Sequence, residues 1–251
     1  KTLGKAVLAQ RDARAWQIFD ASVMEGNVSG VQSFDFQAAL RKGRIIEAAT
    51  LPELAARTGL AEGAAVNVGG GFHHAFPGHG EGFCAIHDVA IAIRKLQAEG
   101  AVARAMVIDT DVHHGNGTEE IFAGDERVLM VSTFQHPFYP YSGIDGFSER
   151  MVNVPLAAGT RSQGFRQVVD DVWIPALEQF GPELVFFSAG FDAHMRDPLA
   201  NLNLAEEDFA WVTRKLMDMA DKHAEGRVVS FARAISTYAA ARPSMRYVGT
   251  M

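Results

Sequence analysis

From residue 64 onward, short apolar runs alternate with segments in which apolar residues recur at helical spacing. The apolar runs are Ala64–Val68, Ala105–Ile108, Val128–Ser132, Leu184–Ser188 and Arg227–Ser230. The helical segments between them are Val89–Ala98, Gln163–Phe180 and Ala205–His223. Continuous apolar strands that alternate with helices are typical of a parallel sheet with helices on both faces. The sequence therefore predicts an α/β fold with a mostly parallel central sheet.

The pattern in residues 1–60 is weaker. Helical stretches are present within Ala13–Met24 and Phe36–Thr58, and a segment rich in glycine and serine at residues 26–30 separates them. The chain shows no internal repeat, linker or low-complexity tract, and its 251 residues suit one α/β domain. We expect a single domain over residues 1–251.

Charge and composition argue against several classes of protein. A formal net charge of −7, without a sustained basic face, argues against a nucleic-acid binder. No apolar run approaches the roughly 20 residues that span a bilayer, and Gln10–Asp12 interrupts the N-terminal stretch too soon for a secretion signal. Cys84 is the only cysteine, so neither an intrachain disulfide nor a thiolate zinc cluster can form. We expect a cytoplasmic enzyme without membrane contact, and the sequence leaves its oligomeric state open.

Polar residues able to do chemistry follow three of the predicted strands. His73–His74 come after the first strand, Asp109–His114 after the second and Asp192 after the fourth. Ligands of open parallel sheets bind beyond the carboxyl ends of the strands. We therefore expect these three groups of side chains to share one site.

The segment that follows the second strand indicates a metal centre. Alternation along an extended chain points Asp109, Asp111 and His113 to the same side, and a divalent ion would neutralise such buried carboxylates. Asp192 is the best third ligand, although an isolated aspartate in that position is often a helix N-cap. Two aspartates and one histidine leave coordination positions open for water and substrate, as catalytic zinc sites do. The same ligands would suit Fe²⁺, Co²⁺ or Mn²⁺.

A histidine pair lies in the glycine-rich segment after the first strand. Glycines at residues 69–71 permit tight turns and a close approach of the backbone to a ligand. His73 and His74 can serve as electrostatic partner and general base, provided that an acceptor fixes the tautomer of each ring.

Together these motifs give the chain a family resemblance. The run from about residue 64 to residue 230 resembles the zinc-dependent histone deacetylase family, which includes bacterial deacetylase-like proteins and acetylpolyamine amidohydrolases, and it looks closer to the class II branch. The motifs that carry the resemblance are Gly71-Phe72-His73-His74, Gly82-Phe83-Cys84, Asp109-Thr110-Asp111-Val112-His113-His114-Gly115-Asn116-Gly117, Pro137-Phe138-Tyr139-Pro140, Ala189-Gly190-Phe191-Asp192-Ala193 and Asp197-Pro198-Leu199. Residues 1–60 and 231–251 look unlike the family.

The resemblance implies the three-layer arginase/deacetylase fold and a zinc ion held by Asp111, His113 and Asp192. It also implies a structural K⁺ near Asp109, Asp111 and Ser132. The substrate would be an acetylated lysine peptide, an acetylated polyamine or another acetylated small amine.

Further roles follow from the resemblance for the histidine pair. His74 would be the general base, with Asn116 as its acceptor, and His73 would be its electrostatic companion, oriented by Asp109. Asn116 cannot supply the negative charge that an aspartate supplies in some relatives, so we expect His74 to be less basic here than in those enzymes.

Three residues would form the substrate passage according to the same resemblance. Phe83 and Tyr139 would flank the acyl-amine tunnel as an aromatic clamp, and Gly82 precedes Phe83 in the matching motif.

One element of the family pattern is missing. The family places a Gly-Gly-Tyr turn after the last core strand, and that tyrosine polarises the substrate carbonyl. Phe231 to Tyr238 contain no such turn, and neither Tyr238 nor Tyr247 matches by context. The tail is either a genuine variant, with weaker catalysis, or the product of a shifted reading frame.

Three functions are compatible with these observations. The leading hypothesis is a metal-dependent amide hydrolase that removes an acetyl or other acyl group by means of an activated water. The alternatives are a catalytically weak module that binds acyl-amines without the tyrosine, and a two-metal ureohydrolase relative.

Overall fold

A computed structural model of the protein describes residues 44–68, 70–144 and 148–233. The elements in chain order are α1 (Arg44–Glu62), β1 (Ala64–Val68), α2 (Asp88–Ala98), β2 (Ala105–Asp109), α3 (Asn116–Phe122), β3 (Val128–Gln135), β4 (Met151–Leu156), α4 (Ser162–Val168), a π-helical turn (Val169–Trp173), α5 (Ile174–Phe180), β5 (Leu184–Gly190), α6 (Glu206–His223) and β6 (Val228–Arg233). No helix in these ranges is both long and apolar enough to cross a membrane.

The described strands form one sheet in the order β1-β6-β5-β2-β3-β4. Every pairing in it is parallel. All five strands expected from the apolar runs are present, and four of them, β2, β3, β5 and β6, extend beyond their predicted C-terminal ends. The predicted α/β fold with a central parallel sheet is therefore confirmed.

Alternate strand residues supply two separate cores. Met106 and Ile108 of β2 belong to the cluster that contains Trp173 and α6 residues, whereas Val107 belongs to the cluster that contains Ile93 of α2. Successive side chains of a strand point to opposite faces, so both faces of the sheet are buried under helices. The result is three layers of secondary structure.

Several boundaries differ from the sequence prediction. The segment expected as one helix over Gln163–Phe180 consists of α4 and α5 joined by the π-helical turn. Neither α3 nor the edge strand β4 was predicted. The predicted helical stretch within Ala13–Met24, the first part of Phe36–Thr58 and the tail after residue 233 lie outside the described residues.

The strand order determines where the site forms. β2 lies between β5 and β3, with Asp109 in register with Ser188 and Ser132. Because β2 and β5 are neighbours and parallel, the segments that follow them leave the sheet side by side. This arrangement brings Asp192 to the segment that carries Asp111 and His113.

Candidate active site

Asp111, His113 and Asp192 converge at the carboxyl edge of the sheet. One ligand atom from each of the three side chains lies within 4.8 Å of the others. His113 Nδ1 lies 2.9 Å from Asp111 Oδ1 and 3.1 Å from Asp192 Oδ2. Within the described ranges, this is the one cluster of three or more His, Cys, Asp or Glu side chains arranged to hold a metal ion. The three side chains predicted to meet from two strand exits therefore lie together, and their role as metal ligands stays a prediction.

Backbone contacts hold the two exits together. The Val112 amide donates to Asp192 Oδ1 (2.9 Å), and the Asp111 amide donates to Asp109 Oδ1 (3.0 Å). A Cβ on Gly190 would lie 2.5 Å from the Asp111 Cα, closer than non-bonded atoms tolerate. Glycine at the end of β5 is thus needed for the close approach that places the ligands.

The chemistry of this cluster fits a divalent cation. Asp192 is only 8% exposed, and its Oδ2 lies 3.1 Å from His113 Nδ1. Burial and the negative charge of Asp111 raise the pKa of Asp192 to about 6. Burial would lower the pKa of His113, but its hydrogen bonds to the two carboxylates outweigh that effect and raise the pKa to about 10. Both pKa shifts indicate that positive charge between the two buried carboxylates is favourable. A divalent ion would supply that charge.

His73 has an acceptor that is as buried as the ring itself. His73 Nδ1 lies 2.7 Å from Asp109 Oδ2, and both side chains are almost fully buried. A Cβ on Gly115 would lie 2.8 Å from that same carboxylate oxygen and 3.2 Å from His73 Nδ1. Gly115, the first glycine of the His-His-Gly-Asn-Gly segment, therefore leaves the space that the His73–Asp109 pair occupies.

His74 lies beside His73, with ring centroids 4.0 Å apart, and has a different partner. Its Nδ1 lies 2.7 Å from Asn116 Oδ1, at the start of α3. A Cβ on Gly82 would overlap the His74 ring, and the backbone at Gly82 has a φ of 52°. Gly82, expected among substrate contacts, packs against the proposed base.

Aromatic side chains contact two histidines of this site. Tyr139 meets His74 edge-on at a centroid distance of 5.3 Å, and Phe138 stacks on His113 at 5.1 Å. Phe83 is 49% exposed and Tyr139 is also exposed, and their expected role as an aromatic clamp stays a prediction. The Tyr139 hydroxyl donates to Glu81 Oε1 (3.1 Å).

Comparison with known proteins identifies the family of this chain. The sequence model described as "Histone deacetylase domain" matches residues 21–233. The chain belongs to the histone deacetylase family. The match reaches upstream of residues 64–230, in which the motifs themselves lie.

Curated proteins named as deacetylases align with more than half of the chain. A protein named "Probable deacetylase" from Archaeoglobus fulgidus is 39% identical over 167 residues, which are 63% of this chain and 45% of that protein. A "Histone deacetylase-like amidohydrolase" from Pseudomonas aeruginosa is 38% identical over 164 residues, which are 62% of this chain and 43% of that protein. The chain thus aligns with less than half the length of these relatives.

Solved structures of deacetylases share the fold. An acetylpolyamine aminohydrolase from Burkholderia pseudomallei aligns with 81% of this chain and 61% of its own, with a TM-score of 0.68 and 29% identity. The HDA15 HD domain aligns with 81% of this chain and 58% of its own, with a TM-score of 0.67 and 28% identity. The chain therefore has the arginase/deacetylase fold that its motifs implied.

His87 and Asp88, at the start of α2, contact the segments around the histidine pair. The Asp88 carboxylate accepts from the amides of Gly71 and Phe72, at 2.9 Å each. His87 Nε2 lies 2.9 Å from the Thr118 hydroxyl, and burial lowers the pKa of His87 to about 3, which keeps the ring neutral. In this deacetylase family member, the backbone that leads into the histidine pair is thus held by Asp88, which no sequence motif distinguishes.

His114, part of the family motif but without an expected role, is almost fully buried. Its Nδ1 lies 2.8 Å from the Ser142 hydroxyl and its Nε2 lies 3.0 Å from Glu119 Oε2. A Cβ on Gly143, which has a φ of 85°, would lie 2.7 Å from the same ring. His114 therefore ties the segment after Tyr139 to α3.

The remaining family expectations have different outcomes. The Ser132 hydroxyl is buried without a hydrogen-bond partner, and its residue is paired with Asp109 in the sheet. A structural K⁺ there stays a prediction. Tyr238 and Tyr247 lie outside the described residues, so the absence of the family's tyrosine from the tail stays a prediction.

Proposed function

We propose that the chain supplies the catalytic centre of a metal-dependent amide hydrolase that removes an acetyl or other acyl group from a lysine side chain or a small amine. The observation that carries the proposal is the convergence of Asp111, His113 and Asp192 beside two imidazoles with fixed acceptors. Amide hydrolysis needs these elements, namely an electrophilic ion, a base and an orienting shell.

Asp111, His113 and Asp192 would hold the ion, with Zn²⁺ preferred and Fe²⁺ or Co²⁺ compatible with the same ligands. When bound, a divalent ion supplies a polarised carbonyl and a water of lowered pKa. The three protein ligands leave positions open for both. K⁺ near Asp109, Asp111 and Ser132 remains part of the proposal, supported by the buried Ser132 hydroxyl.

The residues of the histidine pair have separate roles in this reaction. With its Nδ1 proton held by Asn116, His74 has the lone pair on Nε2, where it accepts the proton of the attacking water. His73 is held by the buried Asp109 carboxylate, whose negative charge favours positive charge on the neighbouring imidazoles. A protonated imidazole then returns a proton to the departing amine.

The aromatic entrance favours an extended acyl-amine. Phe83 and Tyr139 would contact the methylene chain of an acetylated lysine or polyamine, while the acyl group reaches the ligands below. Support comes from relatives named as a histone deacetylase-like amidohydrolase and an acetylpolyamine aminohydrolase. Cytoplasmic location stays part of the proposal, to be checked by cell fractionation.

The test combines metal analysis with two substrates. The purified chain is loaded with Zn²⁺, its metal content is measured, and amine release is followed from an acetyl-lysine peptide and an acetylated polyamine. One ion per chain with amine release is expected. Two ions per chain would instead favour the ureohydrolase relative, and one ion with peptide binding but no turnover would favour the weak binding module.

A further inference from the structure

Glu81 lies one hydrogen bond beyond the proposed base. Asn116 accepts through Oδ1 from His74 Nδ1 (2.7 Å) and donates through Nδ2 to Glu81 Oε1 (2.8 Å). The same Glu81 oxygen accepts from the Tyr139 hydroxyl (3.1 Å). This glutamate directly precedes the Gly82-Phe83-Cys84 motif and belongs to none of the motifs that carry the family resemblance.

The neighbours of Asn116 decide which end of its amide faces His74. The Gly117 amide can only donate, and it lies 3.1 Å from Asn116 Oδ1. A carboxylate offers acceptors and no donor, so Glu81 binds the NH₂ end of the Asn116 amide. Both contacts turn Oδ1 toward His74, and an oxygen acceptor requires that His74 carries its proton on Nδ1. The lone pair is then on Nε2, the atom that must accept a proton.

We propose that Glu81 is a positioning residue, which fixes the orientation of Asn116 and thereby the productive tautomer of His74. This inference rests on the proposed function, because the tautomer matters for a general base. Glu81 is 31% exposed, and solvent screens much of its charge. The accepted hydrogen bond, rather than the negative charge, is therefore what acts on Asn116.

Three variants separate hydrogen bonding from charge. Glu81→Ala removes the acceptor, and we expect kcat to fall about tenfold, at the lower end for groups that orient catalytic residues. Glu81→Gln keeps an acceptor of the same length and is expected to restore kcat to within about twofold of the original. Glu207→Ala, which removes an exposed carboxylate on α6, is the control for loss of charge.

The contact with Tyr139 requires a control of its own. Tyr139→Phe removes the hydroxyl and leaves the bond between Asn116 and Glu81 in place. We expect this variant to change KM more than kcat. If Tyr139→Phe reproduced the whole loss of kcat seen in Glu81→Ala, the proposed route through Asn116 would be wrong.

The tautomer can be observed without any turnover. In ¹⁵N-histidine-labelled, zinc-loaded protein, long-range ¹H–¹⁵N correlation spectra identify the protonated nitrogen of His74. The Nδ1–H form is expected in the original chain and in Glu81→Gln, and a mixture with the Nε2–H form in Glu81→Ala. If Glu81→Ala unfolds, Glu81→Met keeps the side-chain length without a comparable acceptor and serves in both measurements.

The two readouts distinguish this inference from the proposed function. A tautomer that responds to Glu81 in a chain that releases no amine would support the positioning role and reject the hydrolase. Amine release by the original chain, with kcat and tautomer unchanged in both Glu81→Ala and Glu81→Met, would overturn the positioning role alone.

Discussion

The site has two regions, a floor of His73, Asp109, Asp111, His113 and Asp192 and a wall of His74, Glu81, Asn116 and Tyr139. Carboxylates on the floor contact a histidine directly, whereas the carboxylate on the wall reaches a histidine only through another side chain. Asp109 is fully buried and binds His73 itself, but Glu81 is 31% exposed and reaches His74 only through Asn116.

The difference in burial separates two kinds of contribution. Buried carboxylates are costly unless a positive charge compensates them, which is why the proposed function assigns cation binding to the floor. A half-exposed group interacts more weakly because water screens it. Changes on the floor should therefore abolish the site, while changes on the wall should alter its rate.

The largest effect is expected for Asp192→Asn. The amide keeps an acceptor for the Val112 amide but loses the charge that holds a cation. Groups that merely orient ligands change metal affinity by about 10–100-fold, so loss of a ligand should exceed about 100-fold and reduce amine release to background. Elemental analysis and the deacetylation assay measure both effects.

Asp171→Asn is the matched control for this change. Asp171 is exposed on the π-helical turn, so metal content and turnover should both be retained. Full metal occupancy in Asp192→Asn would show that the floor does not depend on this carboxylate.

The second largest effect is expected for His74, the proposed base on the wall. His74→Ala removes the proposed base without touching the three ligands, so we expect turnover to fall about 10²–10⁴-fold while the metal is retained. Turnover and metal content are measured on the same sample. A variant that lost its metal along with activity would show that floor and wall are not separable.

The third effect concerns the glycine behind His74. Gly82→Ala puts a methyl group into the His74 ring at a positive φ, and we expect turnover to fall about 10–100-fold because the base is displaced. Unfolding should also require about 1–3 kcal/mol less free energy, owing to strain and overlap. Gly78→Ala is the control, since a Cβ there meets nothing within 4 Å. Equal kinetics for both variants would contradict the assigned contact.

The smallest effect is expected at the rim. Phe83→Ala removes a half-exposed ring that would cover the substrate chain, and loss of about 1 kcal/mol of apolar contact should raise KM about fivefold with kcat unchanged. Leu54→Ala, an exposed apolar residue on α1, serves as the control. A loss in kcat without a change in KM would place Phe83 in the chemical step instead.

The main strands were predictable from sequence because both faces of the sheet are buried. Full burial produces uninterrupted apolar runs such as β2 and β5, which few other structures produce. β4 was missed because it is an edge strand, contains Pro155 and is buried only at alternate positions for most of its length. α3 was missed because it has seven residues and begins Asn116-Gly117, two poor helix formers.

Floor residues were predictable for a related reason. Asp111 and His113 lie two positions apart in one segment, so their spacing in sequence already implies their proximity. Glu81 and Asp88 act through hydrogen bonds to partners 35 and 16–17 residues away. Only the folded chain brings such partners together, and a glutamate or a helix-starting aspartate carries no signal of that role.

The hydrogen bond from the Val112 amide to Asp192 joins the two ligand-bearing exits through protein atoms alone. We therefore expect folding and metallation to be separate events, unlike zinc fingers, in which the ion itself creates the structure. A chelator should then yield a folded apoprotein that regains activity on addition of Zn²⁺ or Co²⁺. Which ion the protein carries would in that case be decided by supply in its surroundings after folding.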